Sequence, residues 1–217
     1  MPSKPRRYES SAITVTYDLR RCIHAAECTH GLPAVFNRDG RPWVDPSAAD
    51  ADAIAAVVQR CPTGALRYTR HDGGAEELVP TPNEVTVVED GPLYMRGDLE
   101  VHTSEGVLKL TRAAFCRCGA SANKPFCDDS HSGAGFTSAP PAEVEPRGTE
   151  TTGPLRITMR ENGSLKVEGH FAVRTASGEA IPRGPKTSLC RCGHSATKPF
   201  CDAAHRAAGF TAPGSGD

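Results

Sequence analysis

At 217 residues the chain has room for one to three small domains, and 7 Phe, 4 Tyr and 1 Trp against 21 Gly and 18 Pro leave little for a large core, so each unit needs a staple such as a metal or disulfides. With 25 Lys and Arg against 26 Asp and Glu the net charge is −1, which lacks the basic footprint that nucleic acid or an anionic membrane surface requires. No apolar run approaches the roughly 20 residues of a membrane helix, and the opening Met1-Pro2-Ser3-Lys4-Pro5-Arg6-Arg7 has no apolar segment behind its charges, so a cytoplasmic protein is expected. Nine cysteines cannot all pair, and a cytosol keeps thiols reduced. They fall into three groups of three, which points to metal ligation.

In chain order, residues 12–17 read as a strand, and residues 48–59 as a helix. In the helix Ile54, Val57, Val58 and Cys61 fall at i, i+3, i+4 and i+7, an amphipathic register that delivers Cys61. Residues 70–83, with Gly73-Gly74, Pro80 and Pro82, read as a linker. The segments 84–88, 92–96, 99–103 and 107–111 are short, β-branched and separated by Gly or Asp turns, which predicts a small antiparallel sheet. A second linker is expected over 137–154. Further strands are expected over 155–160, 165–168 and 171–175, followed by a Gly- and Pro-containing loop at 177–187.

The stretch CRCGASANKPFCDDSHSGAGFT returns 74 residues later as CRCGHSATKPFCDAAHRAAGFT, so the second half is duplicated. Each copy spaces its ligands as C-x-C, eight residues, C, three residues, H: Cys116, Cys118, Cys127 and His131, then Cys190, Cys192, Cys201 and His205. Thiolate and imidazole suit iron–sulfur clusters or zinc, and no carboxylate shares the pattern, so calcium and magnesium are excluded. Zinc knuckles usually separate paired cysteines by two to four residues, which disfavours zinc without removing it. Gly119 and Gly193 are expected to let backbone N–H groups approach a cluster, Pro125 and Pro199 to stiffen the return to the third cysteine, and Asp128 and Asp202 to cap a short helix.

These residues resemble the CDGSH (mitoNEET-like) iron–sulfur family, whose signature is C-x-C-x2-[ST]-x3-P-x-C-D-G-[STA]-H. The resemblance implies two [2Fe-2S] clusters, with Cys116 and Cys118 on one iron and Cys127 and His131 on the other, and likewise in the second copy. It departs at the Gly of C-D-G, here Asp129 and Ala203. Two motifs in one chain resemble the intramolecular, pseudo-symmetric version of the family's dimer, which implies a monomer. An imidazole ligand can protonate, so cluster retention is expected to depend on pH.

Cys22, Cys28 and Cys61-Pro62 have the layout C-x5-C, a long gap, C-P, with Ala25 where a middle cysteine would stand. This resembles a divergent mono-cluster ferredoxin domain, and three thiolates imply a [3Fe-4S] cluster, or a [4Fe-4S] cluster with an added ligand, for which His24 is the nearest candidate. The expected class is α+β, with a ferredoxin-like domain at 8–70 and mostly antiparallel CDGSH domains at 84–138 and 155–213. The expected role is electron transfer between redox partner proteins. The alternatives are cluster storage, transfer to apo-acceptor proteins or redox and pH sensing, and after them a structural zinc module. No Gly-rich nucleotide loop or nucleophile and base set is found, so an enzyme is not expected.

Overall fold

The computed structural model describes residues 5–138, 153–181 and 185–215. The expected linker at 137–154 therefore lies, apart from its ends, outside the described residues, as does the middle of the loop at 177–187. The chain divides into two compact units, one ending at Leu78 and one beginning at Val79.

In the first unit, β1 (Arg6–Glu9), β2 (Ile13–Tyr17) and β3 (Leu66–Arg70) form an antiparallel sheet in the order β1-β2-β3. Between β2 and β3 lie α1 (Glu27–Gly31) and α2 (Ala51–Val58). Helix α2 begins three residues later than the pattern predicts, and buries Ile54, Ala55, Val57 and Val58 against Ile13, Val15, Phe36 and Leu66. This is the apolar stripe read from the sequence. Tyr17 pairs with Leu66, so the exit of β2 and the entry of β3 share one end of the sheet. That register brings the Cys22 and Cys61 stretches together, because one follows β2 and the other precedes β3. Residues 71–82 carry no helix or strand.

The second unit contains β4 (Asn83–Val87), β5 (Leu93–Thr103), β6 (Gly106–Phe115), α3 (Ser130–Gly133), β7 (Leu155–Met159), β8 (Leu165–Glu168), β9 (Phe171–Thr175), β10 (Ala180–Ile181) and β11 (Lys186–Leu189). The expected strands at 92–96 and 99–103 are one strand, β5, with a register shift between Arg96 and Leu99. Gly97 allows this irregularity. Its φ is +149°, and a Cβ there would meet the Asn83 side chain. The matching long strand of the second repeat is broken at Gly169 into β8 and β9.

All these strands belong to one eight-stranded sheet, in the order β10-β9-β4-β5-β7-β8-β11 with β6 also on β5. Most pairings are antiparallel, but β4 pairs parallel with β9, and β7 parallel with β5. The first strand of each repeat is thus laid beside the long strand of the other. The core is likewise shared, with Val85, Leu93, Leu99 and Phe115 of the first repeat packed with Leu155, Ile157, Val167 and Leu189 of the second. The segments expected as separate domains, 84–138 and 155–213, lie in this one unit. Of the expected α+β arrangement the mostly antiparallel-β part holds: among the described residues the chain is mostly β with few short helices.

Candidate metal centres

Each C-x-C follows a strand directly, Cys116 after β6 and Cys190 after β11. The chain then folds back on itself. Cys116 donates its backbone N–H to Pro125 O (2.9 Å) and Cys127 to Ala114 O (2.9 Å), with Cys190 to Pro199 O (2.7 Å) and Cys201 to Ser188 O (2.9 Å) in the second copy. Both Lys-Pro peptide bonds here are cis. The backbone hydrogen bonds bring the third cysteine back beside the strand end that carries the first pair. Ser121 and Ser195, both buried, pin the loop by donating to Phe126 O (2.7 Å) and Phe200 O (2.6 Å). Lys124 and Lys198 donate to Ser121 O and Ser195 O (2.5 and 2.7 Å), so they brace their own loops.

Asp128 accepts from Ser130 N (3.1 Å) and Ala122 N (2.8 Å), and Asp202 from Ala204 N (3.0 Å) and Ala196 N (2.8 Å). Each aspartate thus ties the residues after the third cysteine to the C-x-C loop, a wider role than the expected cap. In the first copy a helix, α3, does begin there; the second copy forms only turns. Burial works against Asp128, but the hydroxyl of Ser130 and these N–H groups hold it below the ordinary carboxylate range, and backbone N–H groups lower Asp202. The sign follows. This contribution is complete above the unfolded value of about 4, and is lost as pH falls through the lower folded values.

The ligands come in pairs. Cys116 Sγ lies 3.8 Å from Cys118 Sγ, and Cys127 Sγ 3.5 Å from His131 Nδ1. In the second motif the same separations are 3.7 Å for Cys190 and Cys192 and 3.5 Å for Cys201 and His205. A tetrahedral ion with bonds of about 2.3 Å to sulfur and about 2.0 Å to nitrogen has an S–S edge of about 3.8 Å and an S–N edge of about 3.5 Å. Each pair therefore has the separation of one edge of a tetrahedral metal site, and the residues fit an iron–sulfur centre. Backbone N–H groups of Ala120, Asp129, His194 and Ala203 reach Cys118, Cys127, Cys192 and Cys201 sulfur at 3.4–3.5 Å, the donors that stabilise bound thiolate. Burial pushes the Cys127 and Cys192 thiols up to about 11, so their protons leave as metal binds. The hydrogen bond between Cys116 and Cys118 sulfur raises the first thiol and lowers the second to about 6.

Two features of these loops were not read from the sequence. The middle residues of C-R-C, Arg117 and Arg191, are each 1% exposed. In addition, Gly119 and Gly193 face the opposite motif. With φ of +82° and +86°, a Cβ on either would stand 2.6 Å from Cys192 O or 2.5 Å from Cys118 O. The two loops therefore meet back to back, which is a stronger reason for glycine than approach to sulfide.

At the departures from C-D-G, Asp129 and Ala203 have φ of 74° and 70°, the left-handed region that glycine occupies freely. Asp129 Oδ1 also lies 3.5 Å from His131 Nε2, a neighbour that Ala203 does not provide for His205. Ala203→Gly is expected to raise stability by about 0.5–1 kcal/mol, the left-handed strain relieved less the entropy gained by the unfolded chain. An upward shift of the denaturant midpoint checks it; a downward shift would mean the loop holds alanine without strain.

In the first unit, Cys22, Cys28 and Cys61 line one cavity of about 550 Å³, with His24 and Ala25 on its wall. Burial raises the Cys28 thiol, and Cys61 and Cys22 push it the same way, so the three sit within mutual electrostatic reach. His24 and Ala26 are both left-handed (φ 56° and 62°), which shapes the loop ahead of α1. Burial raises the Tyr17 hydroxyl well above its usual range, and its hydrogen bond to Cys22 adds to this. Tyr17 stacks edge-on against Trp43, with ring centroids 4.7 Å apart, and both line the cavity. Thr63 Oγ1 lies 3.5 Å from Cys61 Sγ. Tyr17 and Thr63 escaped sequence reading because a strand tyrosine and a turn threonine carry no metal-ligand signal.

Comparison with known proteins agrees with this division. Residues 8–71 match the family model of a divergent 4Fe-4S mono-cluster, and residues 90–132 and 162–206 match that of the iron-binding zinc finger of CDGSH type. The chain is 35% identical over 66 residues, 30% of its length and 86% of the relative's, to the uncharacterized protein YjdI of Escherichia coli K12. The same figures hold for YjdI of Escherichia coli O157:H7. Among the described residues no helix is long and apolar enough to cross a membrane. The matched stretches contain all the ligand sets described above, and the chain belongs to the CDGSH-type iron-binding family, with two such motifs behind a divergent 4Fe-4S mono-cluster domain.

Proposed function

We propose that the protein is an electron carrier in which each Cys3His set holds a [2Fe-2S] cluster and Cys22, Cys28 and Cys61 hold a [3Fe-4S] or [4Fe-4S] cluster. The observation that carries this reading is the division of each Cys3His set into two pairs, each spanning one tetrahedral edge. A two-iron core requires that division, whereas a single zinc needs all four donors around one point. Bound clusters supply one-electron chemistry. The protein's part is to bury the thiolates, aim N–H groups at their sulfur and hold the loops rigid so that little reorganises when charge changes.

For the first unit, the convergence of three cysteines on one cavity with Ala25 at its wall supports a ferredoxin-like site short of one ligand. In this reading the partners are redox proteins, not nucleic acid or membrane. The chain works as a cytoplasmic monomer through its internal repeat and is not itself an enzyme. One observation favours cluster delivery or sensing instead: His131 keeps 15% of its side chain exposed, a rim ligand from which release can start. Transfer of [2Fe-2S] to an apo-ferredoxin at a rate faster than free iron and sulfide allow would favour that alternative.

Electron paramagnetic resonance of anaerobically purified protein is the test. An oxidised [3Fe-4S] signal, or a reduced [4Fe-4S] one, is expected beside a dithionite-induced [2Fe-2S] signal. Silence in both states with zinc matching the site count would replace the redox reading with a structural zinc protein.

A further inference from the structure

The buried arginines Arg117 and Arg191 have an unusual environment. Arg117 donates to Gly91 O (2.9 Å), Val88 O and Ser138 Oγ (2.8 Å). Arg191 donates to Gly163 O (2.9 Å), Arg160 O (2.7 Å) and Pro213 O (3.1 Å). Phe136 and Phe210 cover them, with guanidinium carbons 5.2 and 5.5 Å from the ring centroids. Among the described residues no carboxylate makes an ion pair with either guanidinium; Asp90 reaches the Arg117 network only through Ser138. A guanidinium stays cationic at neutral pH, so two positive charges are buried without a direct ion pair, with Asp90 acting on Arg117 from beyond Ser138. Uncompensated burial of charge is strongly unfavourable.

The missing negative charge lies at the metal centres. Two ferric ions, two sulfides and three thiolates sum to one negative charge, and one electron makes it two. The C-x-C loops meet back to back through Gly119 and Gly193. Burial pulls Arg117 down to about 10, and the groups opposing this are first Cys190 of the other motif, then Asp90 and Cys118 of its own. For Arg191, also lowered by burial, the opposing group is Cys116.

We propose that Arg117 and Arg191 are exchanged counter-charges: each is fixed by the backbone of its own repeat and stabilises the reduced cluster of the other, which couples the two potentials. This deepens the [2Fe-2S] reading and rests on it. It also gives a reason for joining two motifs in one sheet, since neither arginine reaches the opposite cluster unless the repeats interlock.

The test is a redox titration of the full chain followed by electron paramagnetic resonance in a His205→Cys background. Replacing imidazole by thiolate lowers the second cluster's potential and separates the two waves. Arg117→Gln is expected to move the second-motif wave down by at least a tenfold change in the reduced-to-oxidised ratio, about 59 mV for one electron. The first-motif wave should move less. Arg117→Lys, which keeps the charge, should retain most of the original potential. Arg191→Gln should give the mirror result on the first-motif wave and keeps the idea testable if Arg117→Gln fails to fold. Shifts confined to each arginine's own cluster, or equal shifts for Lys and Gln, would overturn the exchange. Absence of any [2Fe-2S] wave in the unsubstituted chain would instead strike the underlying cluster reading.

Discussion

Gly193→Ala is expected to damage both CDGSH sites although it lies in one. The new methyl would stand 2.5 Å from the carbonyl oxygen of Cys118, 3.0 Å from its carbon and 3.4 Å from its Cα. These are backbone atoms of the first motif, and they cannot rotate away as a side-chain tip can. Left-handed alanine costs about 1–2 kcal/mol, and forcing an extra carbon into close-packed surroundings about 1–3 kcal/mol more. The sum, about 2–5 kcal/mol, is a large share of the 5–15 kcal/mol typical of domain stability. Relief requires the Cys118 peptide to retreat by several tenths of an ångström, which opens the 3.8 Å edge between Cys116 and Cys118 sulfur. Iron and acid-labile sulfide per chain, with the visible spectrum, should therefore fall for both motifs, and Gly119→Ala should do the same through Cys192. If His131 and its three cysteines keep a full cluster in Gly193→Ala, the two loops do not bear on each other.

The sequence carried the ligand sets because a repeat with identical spacing is a local pattern, and cysteine and histidine advertise their chemistry. It also carried most strands and α2, where period-2 and period-3.6 patterns coincide with burial. The exchange of strands was not legible. Parallel pairing of β4 with β9 joins residues such as Asn83 and Phe171, and of β5 with β7 residues such as Leu99 and Leu155, far apart in the chain, and nothing in a strand's alternation names its neighbour. The two CDGSH segments therefore read as separate domains while sharing one core. Gly119 and Gly193 were legible as glycines needing space, but what fills the space belongs to the other repeat. Arg117 and Arg191 carried no signal in the sequence, because charged residues are usually exposed, and only the fold shows backbone carbonyls gathered around them. The departures at Asp129 and Ala203 were visible at once, and the structure gives their physical content as left-handed backbone.

Interlocking has a further consequence at Asn83, the buried residue that begins β4. Its Oδ1 accepts from Asp98 N (2.7 Å), which satisfies the irregular turn of β5 beside Gly97. Its Nδ2 donates to His170 O (2.8 Å) and Gly153 O (3.2 Å), both in the second repeat. One amide thus ties a bulge in one repeat to the strand connections of the other. Asn83→Ala leaves a donor and two acceptors without these bonds, each costing about 1–3 kcal/mol if buried, so a net loss of about 2–4 kcal/mol is expected once water reaches part of the gap. Asn83→Asp should be worse than alanine, because a carboxylate there would face two carbonyl oxygens it cannot bond and stand beside Asp98. Denaturation followed by circular dichroism and by cluster absorbance should show coincident, lowered midpoints for both clusters, since the sheet that holds them is common. Two separated cluster transitions in Asn83→Ala would mean that each repeat keeps an independent core, and that the shared sheet contributes little to holding either metal centre.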